Sequence, residues 1–258
     1  MNNILESLTS KDIIIPEYLD EYKEGIGFFY SELITLNTNI FIINKIRKFP
    51  FDLFCNPDDC TFFHMVINNF FEYSLIIITR IFKDTGKDCF TLPKFINKII
   101  SKYIKSEYRK LFIQRVKNVN FNNLTADILN RIHDLRKKRL AHNLEEYITE
   151  TKNIGRINYN ELEKLRDYSN QLFENLSFGI THMMVPLPYC EKVIHPKGYD
   201  SRPDIEKILD AIAKDSYFIN APEIDKYWLD YGKNRMSEHD LNIFYEYREK
   251  FGLPNDIF

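Results

Sequence analysis

Glycine is scarce in this chain, at 8 of 258 residues, and apolar residues recur three and four positions apart far more often than they alternate. Together these facts exclude a sheet-rich protein threaded by tight turns and predict a nearly all-helical one. Net charge is nearly absent too. A formal balance of −2 excludes capture of nucleic acid by the overall field, so such a partner needs a local patch. The 4 cysteines make no ordinary zinc site, because Cys55-x4-Cys60 has His64 nearby but no second half-site. Buried or surface thiols are the expectation. The opening MNNILESLTSKD is polar and lacks an apolar core, so no secretory signal and a reduced, cytoplasmic setting are expected. No long apolar run is free of polar residues: Phe62 to Phe82 carries His64, Asn68, Asn69, Glu72 and Arg80, which are costly in lipid. A core helix buried on most of its faces, and no membrane partner, follow as expectations. None of the carboxylate clusters of a two-metal nuclease is evident, and neither an internal repeat nor a low-complexity tract is found.

What the chain does have is ample core material, with 44% hydrophobic and 28% charged residues. A first helix is predicted over Pro16 to Arg47, with a break near Thr38 and a stop at Pro50. A second covers Asp59 to Asp84, ended by Thr85-Gly86, with Cys89 to Pro93 as a turn. Shorter helices follow at Lys94–Ile104 and Glu107–Val119. The next starts after Asn122-Asn123, with the stripe Leu124, Ile128, Leu129, Ile132 and Leu135. Glu145 to Asn158 is polar and reads as a loop, and Asn160-x-x-Glu163 reads as a capping box opening a helix striped by Leu162, Leu165, Tyr168, Leu172, Leu176 and Ile180. That helix is expected to pack antiparallel to the one begun near Leu124. Four prolines and Gly198 between Val185 and Pro203 mark a boundary. Residues 1–185 are therefore expected to form one helical domain, 186–202 a linker and 203–258 a smaller helical appendage. In the appendage, helices are predicted at Asp204–Lys214, Glu223–Tyr231 and Asp240–Phe251, the last capped by Ser237-x-x-Asp240.

Charge is unevenly divided. From Pro203 onward there are twelve Asp/Glu against seven Lys/Arg, a balance of −5, whereas Arg131 to His142 holds five Lys/Arg against Asp134 alone. The run Arg136-Lys-Lys-Arg-Leu-Ala-His142 joins an imidazole, which titrates near neutrality, to guanidinium groups that keep their charge. Those groups suffice to cut RNA without a metal. His142 would move the proton of an attacking 2′-hydroxyl and Arg136 would neutralise charge on the phosphate oxygens. Lys137, Lys138, Arg139 and Asn143 would hold the RNA backbone. Arg136 and His142 lie six residues apart, so one helix presents them imperfectly, and two such helices meeting on a two-fold axis would complete the site. Plainer readings exist for the same residues: cations at a helix C-terminus compensate its dipole, and a histidine beyond them can be a surface or capping residue. His133 and Asp134 read as a local structural pair, and Arg80 as the partner of a carboxylate such as Asp84 on its own helix.

The string Leu135-Arg-Lys-Lys-Arg-Leu-Ala-His-Asn143 resembles the Arg-x(4–6)-His signature of the HEPN superfamily. The helix ending Ile76-Ile-Ile-Thr-Arg-Ile-Phe-Lys-Asp84, followed by Thr91-Leu92, is similar to its AbiU-like abortive-infection branch. The resemblance covers about residues 15–185. It implies an all-α antiparallel helical bundle, a homodimer joined through the motif helix, and no cofactor or metal. It also implies an endonuclease acting on RNA as a toxin or phage-defence effector, paired with an antitoxin or regulator. The pattern assigns its catalytic arginine to Arg136 and its histidine to His142. The residue after the arginine is small and polar in active members, and here it is Lys137. The competing reading is a non-catalytic HEPN module that binds a nucleotide, RNA or protein.

Overall fold

The computed structural model describes residues 8–55, 60–84, 86, 88–136, 157–178, 202–224 and 236–254. Helices account for nearly all of them. The elements are α1 (Ser10–Ile13), a 3-10 turn (Pro16–Tyr18), α2 (Leu19–Lys48), α3 (Phe51–Phe54), α4 (Thr61–Phe82), α5 (Leu92–Lys98) running into a π-turn (Ile99–Tyr103), α6 (Ser106–Asn118), α7 (Phe121–Leu135), α8 (Tyr159–Leu176), α9 (Asp204–Asp215), α10 (Tyr217–Ile224) and α11 (Glu238–Lys250). No strand occurs among the described residues; an isolated antiparallel bridge joins Ile14 to Ile104.

The chain divides into two compact units. One comprises Met1–Phe41 with Phe70–Cys190, and the other Ile42–Asn69 with Glu191–Phe258.

Helix α2, which belongs to the first unit up to Phe41, carries Asp20 and Glu21 in its first turn and Lys45, Arg47 and Lys48 in its last, matching the helix dipole at both ends. The break expected near Thr38 does not occur. Thr38 Oγ1 donates to the carbonyl of Ile34 at 2.8 Å, so the hydroxyl is satisfied within its own helix. Tyr22, Phe29, Leu33 and Leu36 line its buried face. Gly25 lets α5 approach: a Cβ placed there would stand 2.4 Å from the Phe95 ring. Tyr22 is buried, and its hydroxyl donates to Leu176 O at 2.6 Å while accepting from Phe178 N at 3.2 Å, tying α2 to the end of α8. Asn37 and Asn170 exchange amide hydrogen bonds of 3.1 and 3.0 Å between the same two helices.

Burial on α4 begins at Ser74 and continues to Phe82. The expectation of a helix buried on most faces fails for the N-terminal half, where Phe62 is 65% and Met65 58% exposed. Helices Pro16–Lys48 and Thr61–Phe82 have the length and apolar composition to cross a bilayer, though core helices pass the same test.

Helix α7 starts at Phe121, three residues before the predicted Leu124, because Phe121 is buried with its ring stacked 4.5 Å from Phe82. Asn120 precedes it with φ 53°, a left-handed conformation that asparagine tolerates. Helix α8 opens on Asn158 rather than Asn160: Asn158 Oδ1 accepts from Glu161 N and Glu161 Oε2 accepts from Asn158 N, both at 2.9 Å. Its buried face is Leu162, Leu165, Ser169, Leu172, Phe173 and Leu176, while Ile180 lies outside the described residues. Helices α7 and α8 pack antiparallel. Arg131 near the end of α7 meets Glu161 at the start of α8, whereas Phe121 and Leu172 line one hollow at the other end.

The second unit has a core of Phe49, Phe54, Leu209, Ala213, Ile219 and Phe244. Arg248 is buried there and is satisfied by the carbonyls of Ile219 at 2.7 Å and Pro254 at 2.7 and 3.1 Å. The cap predicted at Ser237 forms, its hydroxyl accepting from Asp240 N at 3.1 Å. Helix α10, with Pro222 inside it, ends at Ile224, and the helix predicted over Glu223–Tyr231 lies outside the described residues from residue 225 on. Acidic excess in this segment is partly neutralised within the unit, where Asp210 pairs with Arg202 and Lys250, and Glu206 with Lys45. Cys55, Cys60 and Cys89 form no disulfide.

Candidate functional site

Asn130 and His133 of α7 and Arg136, the residue that caps its C-terminus, stand three positions apart and therefore form one row along the helix. Helical geometry carries through Arg136, whose backbone N–H bonds back to the carbonyls of His133 and Ile132 at φ −58° and ψ −50°. The C-terminal end of α4 lies across this helix. Phe82 stacks on Phe121 at its start, Lys83 Nζ donates to Asn130 Oδ1 at 3.0 Å in its second half, and Asp84 meets Arg136 at its end.

Arg136 is engaged by an ion pair, its Nη1 donating to Asp84 Oδ1. The two side chains are 31% and 22% exposed, so the pair is half-buried and less screened than a surface contact. Asp84 was expected to hold Arg80. Arg80 instead pairs with Glu32 of α2, a carboxylate brought close only by the fold. The i,i+4 arrangement favoured Arg80 on local grounds, and the packing of α2 and α7 around α4 overrides it.

Arg131 does different work from Arg136. Its guanidinium meets Glu161 in a two-pronged contact of 2.7 and 3.3 Å and Asp127 at 2.9 Å, which commits it to joining α7 to α8. The hydrogen bonds from Arg131 lower the Glu161 carboxyl pKa, and the same contact with Glu161 raises that of Arg131. Of the basic cluster read in the sequence, Arg131 is therefore structural.

His133 does not pair with Asp134, which is exposed. Its Nδ1 is buried and has no hydrogen-bond partner among the described residues. Of the residues singled out for chemistry, Lys137, Lys138, Arg139, His142 and Asn143 lie outside the described residues, and Arg136 lies within them. Among the described residues no group of three or more His, Cys, Asp or Glu could hold a metal ion. Asp84 and Glu32 are the polar partners that sequence reasoning missed. Asp84 stood in the quoted string and was assigned to the wrong arginine, and Glu32 carried no local signal at all.

A guanidinium gripped on one edge by a carboxylate keeps its other N–H groups for an anion, since arginine has five donors and Asp84 Oδ1 takes Nη1. The arrangement can therefore present a planar, fixed donor set to a phosphate at the end of α7. Comparison with family models finds a match to the HEPN family described as AbiU2, over residues 56–190, a stretch that contains α4 to α8 and Arg136. No curated protein and no solved structure matches the chain.

Proposed function

We propose, from the premise that this chain belongs to the AbiU2 family of HEPN proteins, that it is a metal-independent RNA endonuclease serving abortive infection as a toxin or phage-defence effector. The observation carrying the proposal is that Arg136 stands at the end of α7, inside the matched stretch, with its guanidinium oriented by Asp84. In the reaction, the 2′-oxygen attacks the adjacent phosphorus and the bond to the 5′-oxygen breaks. His142 takes the 2′-hydroxyl proton or supplies the one the leaving oxygen needs. Arg136 stabilises the negative charge growing on the non-bridging oxygens. Products carry a 2′,3′-cyclic phosphate and a 5′-hydroxyl, and DNA, lacking the nucleophile, is not cut. Lys137, Lys138, Arg139 and Asn143 hold the RNA backbone, and their cations make binding weaken as salt rises. A homodimer formed through the motif helix brings two copies of these groups to one cleft. An antitoxin or regulator controls it, in the cytoplasm.

The test is expression of the chain beside His142→Ala, with growth and the chemistry of RNA 3′ ends as readouts. The variant is expected to lose cleavage by at least ~100-fold, the ordinary contribution of a general acid–base residue, while binding RNA nearly as well. A second reading, a HEPN module that binds a nucleotide, RNA or protein without cutting, draws on the neutralisation of Arg136 by Asp84. It predicts salt-sensitive RNA binding with no cleavage to lose, and that result would replace the nuclease proposal.

A further inference from the structure

Every polar atom buried without a partner asks for an explanation, because such atoms are few in native proteins. His133 Nδ1 is one, and its place is informative. The residues one turn to either side in its row, Asn130 and Arg136, are each bonded to the end of α4, through Lys83 and Asp84. His133 lies between them with no such bond. It is half-buried, and its other ring nitrogen, Nε2, is not among the buried unpartnered atoms.

Two nitrogens in such different surroundings settle where the proton of the neutral ring resides. On Nδ1 it would be a buried donor without an acceptor, the costlier kind of orphan. On Nε2, which is not buried without a partner, it can be met by an acceptor from outside the chain. The neutral ring therefore favours the Nε2–H form, with its donor on the nitrogen that is not buried. Three residues separate it from Arg136, which on a continuous helix means about 4.5 Å along the axis and side chains leaving from about 5–6 Å apart. That spacing suits two neighbouring oxygens of one sugar–phosphate unit.

Resting on the nuclease reading above, we infer that His133 is a further substrate-contacting residue, whose Nε2–H donates to a ribose or phosphate oxygen of RNA beside the phosphate held by Arg136. Lys83, Asn130 and Asp84 support it by fixing the helix row it belongs to. The residue is three positions before the signature arginine, so this contact is separate from the one assigned to His142.

The experiment uses the full chain and compares wild type with His133→Leu, which fills the space without a donor, and His133→Gln, which restores one. Each is titrated with a mixed-sequence 20-nucleotide RNA carrying 2′-O-methyl groups, which binds but cannot be cut, and assayed for cleavage of the unmodified RNA. Melting temperature is recorded for all three. His133→Leu is expected to weaken binding and kcat/KM by about tenfold to a hundredfold, as for one hydrogen bond to a charged group. His133→Gln should recover to within about threefold. Two results would overturn the contact: affinity and cleavage in His133→Leu equal to wild type, or losses in Leu and Gln variants that are equal and track their melting temperatures. A wild type that binds the methylated RNA but cuts nothing would remove the nuclease reading, and the binding comparison would still decide on His133.

Discussion

Replacing Asp84 by Asn keeps shape and one acceptor oxygen while removing the charge that faces Arg136. The pair is half-buried, with side chains 31% and 22% exposed. It therefore sits between a solvated ion pair, at roughly 0–1 kcal/mol, and a charge-assisted hydrogen bond out of water, at roughly 1.5–3 kcal/mol. We expect a loss of about 1–2 kcal/mol, which in a protein of this size lowers the melting temperature by roughly 2–8 °C. Stability and RNA binding should move in opposite directions. Freed from its carboxylate, Arg136 presents a full positive charge, so affinity for RNA rises and the slope of log K against log salt steepens by up to about one phosphate contact. Cleavage moves the other way, falling by about tenfold, because the guanidinium is less well fixed against the developing charge. The assay is a double-mutant cycle of Asp84→Asn and Arg136→Gln, read by thermal melting, by filter binding at several salt concentrations and by cleavage of labelled RNA. Coupling of about 0.5–2 kcal/mol is expected in the melting data. If the two substitutions add within ~0.3 kcal/mol and Asp84→Asn leaves the salt slope unchanged, the pair does not hold the guanidinium and the reasoning fails.

Two further substitutions test the frame around the site. Tyr22→Phe deletes a hydroxyl that serves both Leu176 O and Phe178 N in a buried setting, and should cost about 1–3 kcal/mol by urea unfolding with no effect on RNA binding. An unchanged unfolding midpoint would show that neither group depends on that hydroxyl. Glu161→Gln should cost about 1 kcal/mol near neutral pH, since Glu161 both closes the α8 cap and binds Arg131. The Glu161 pKa is depressed when folded, so its contribution is complete above the ordinary carboxylate range and fades as pH falls through the lower folded value. The gap between wild type and Glu161→Gln should therefore close in acid, and a gap constant down to pH 2 would contradict the assignment.

Much of the fold could be read from spacing alone. The long helices, the stop at Pro50 and the cap at Ser237 follow from periodicity and from local hydrogen bonding, which a sequence carries within a few residues. Where local signals competed, tertiary contacts chose. Asn158-x-x-Glu161 and Asn160-x-x-Glu163 are equal as capping boxes, and the first forms, with its Glu161 also meeting Arg131 across the bundle. Phe121 lengthens α7 beyond the expected asparagine cap because Phe82 offers a ring to stack on. The second unit takes in Ile42–Asn69, where Phe49 and Phe54 pack with α9 to α11, a gathering that hydropathy along the chain does not announce. At the site, Arg136 was visible as half of a motif, whereas its partner lies 52 residues upstream and had a nearer arginine to claim it. His133 drew notice only as a neighbour of Asp134, since nothing in residue type alone tells which ring nitrogen will be stranded.

The amides of Asn37 and Asn170 act as an alignment key for the bundle. Sliding α8 against α2 by one turn, about 5 Å, would part the two carboxamides, leaving Asn37 only its bond to the carbonyl of Leu33, whereas leucines and isoleucines at neighbouring positions would tolerate the shift. Replacing both asparagines by leucine should therefore give a protein no less stable yet less certain of its own alignment, with broadened side-chain resonances along α8.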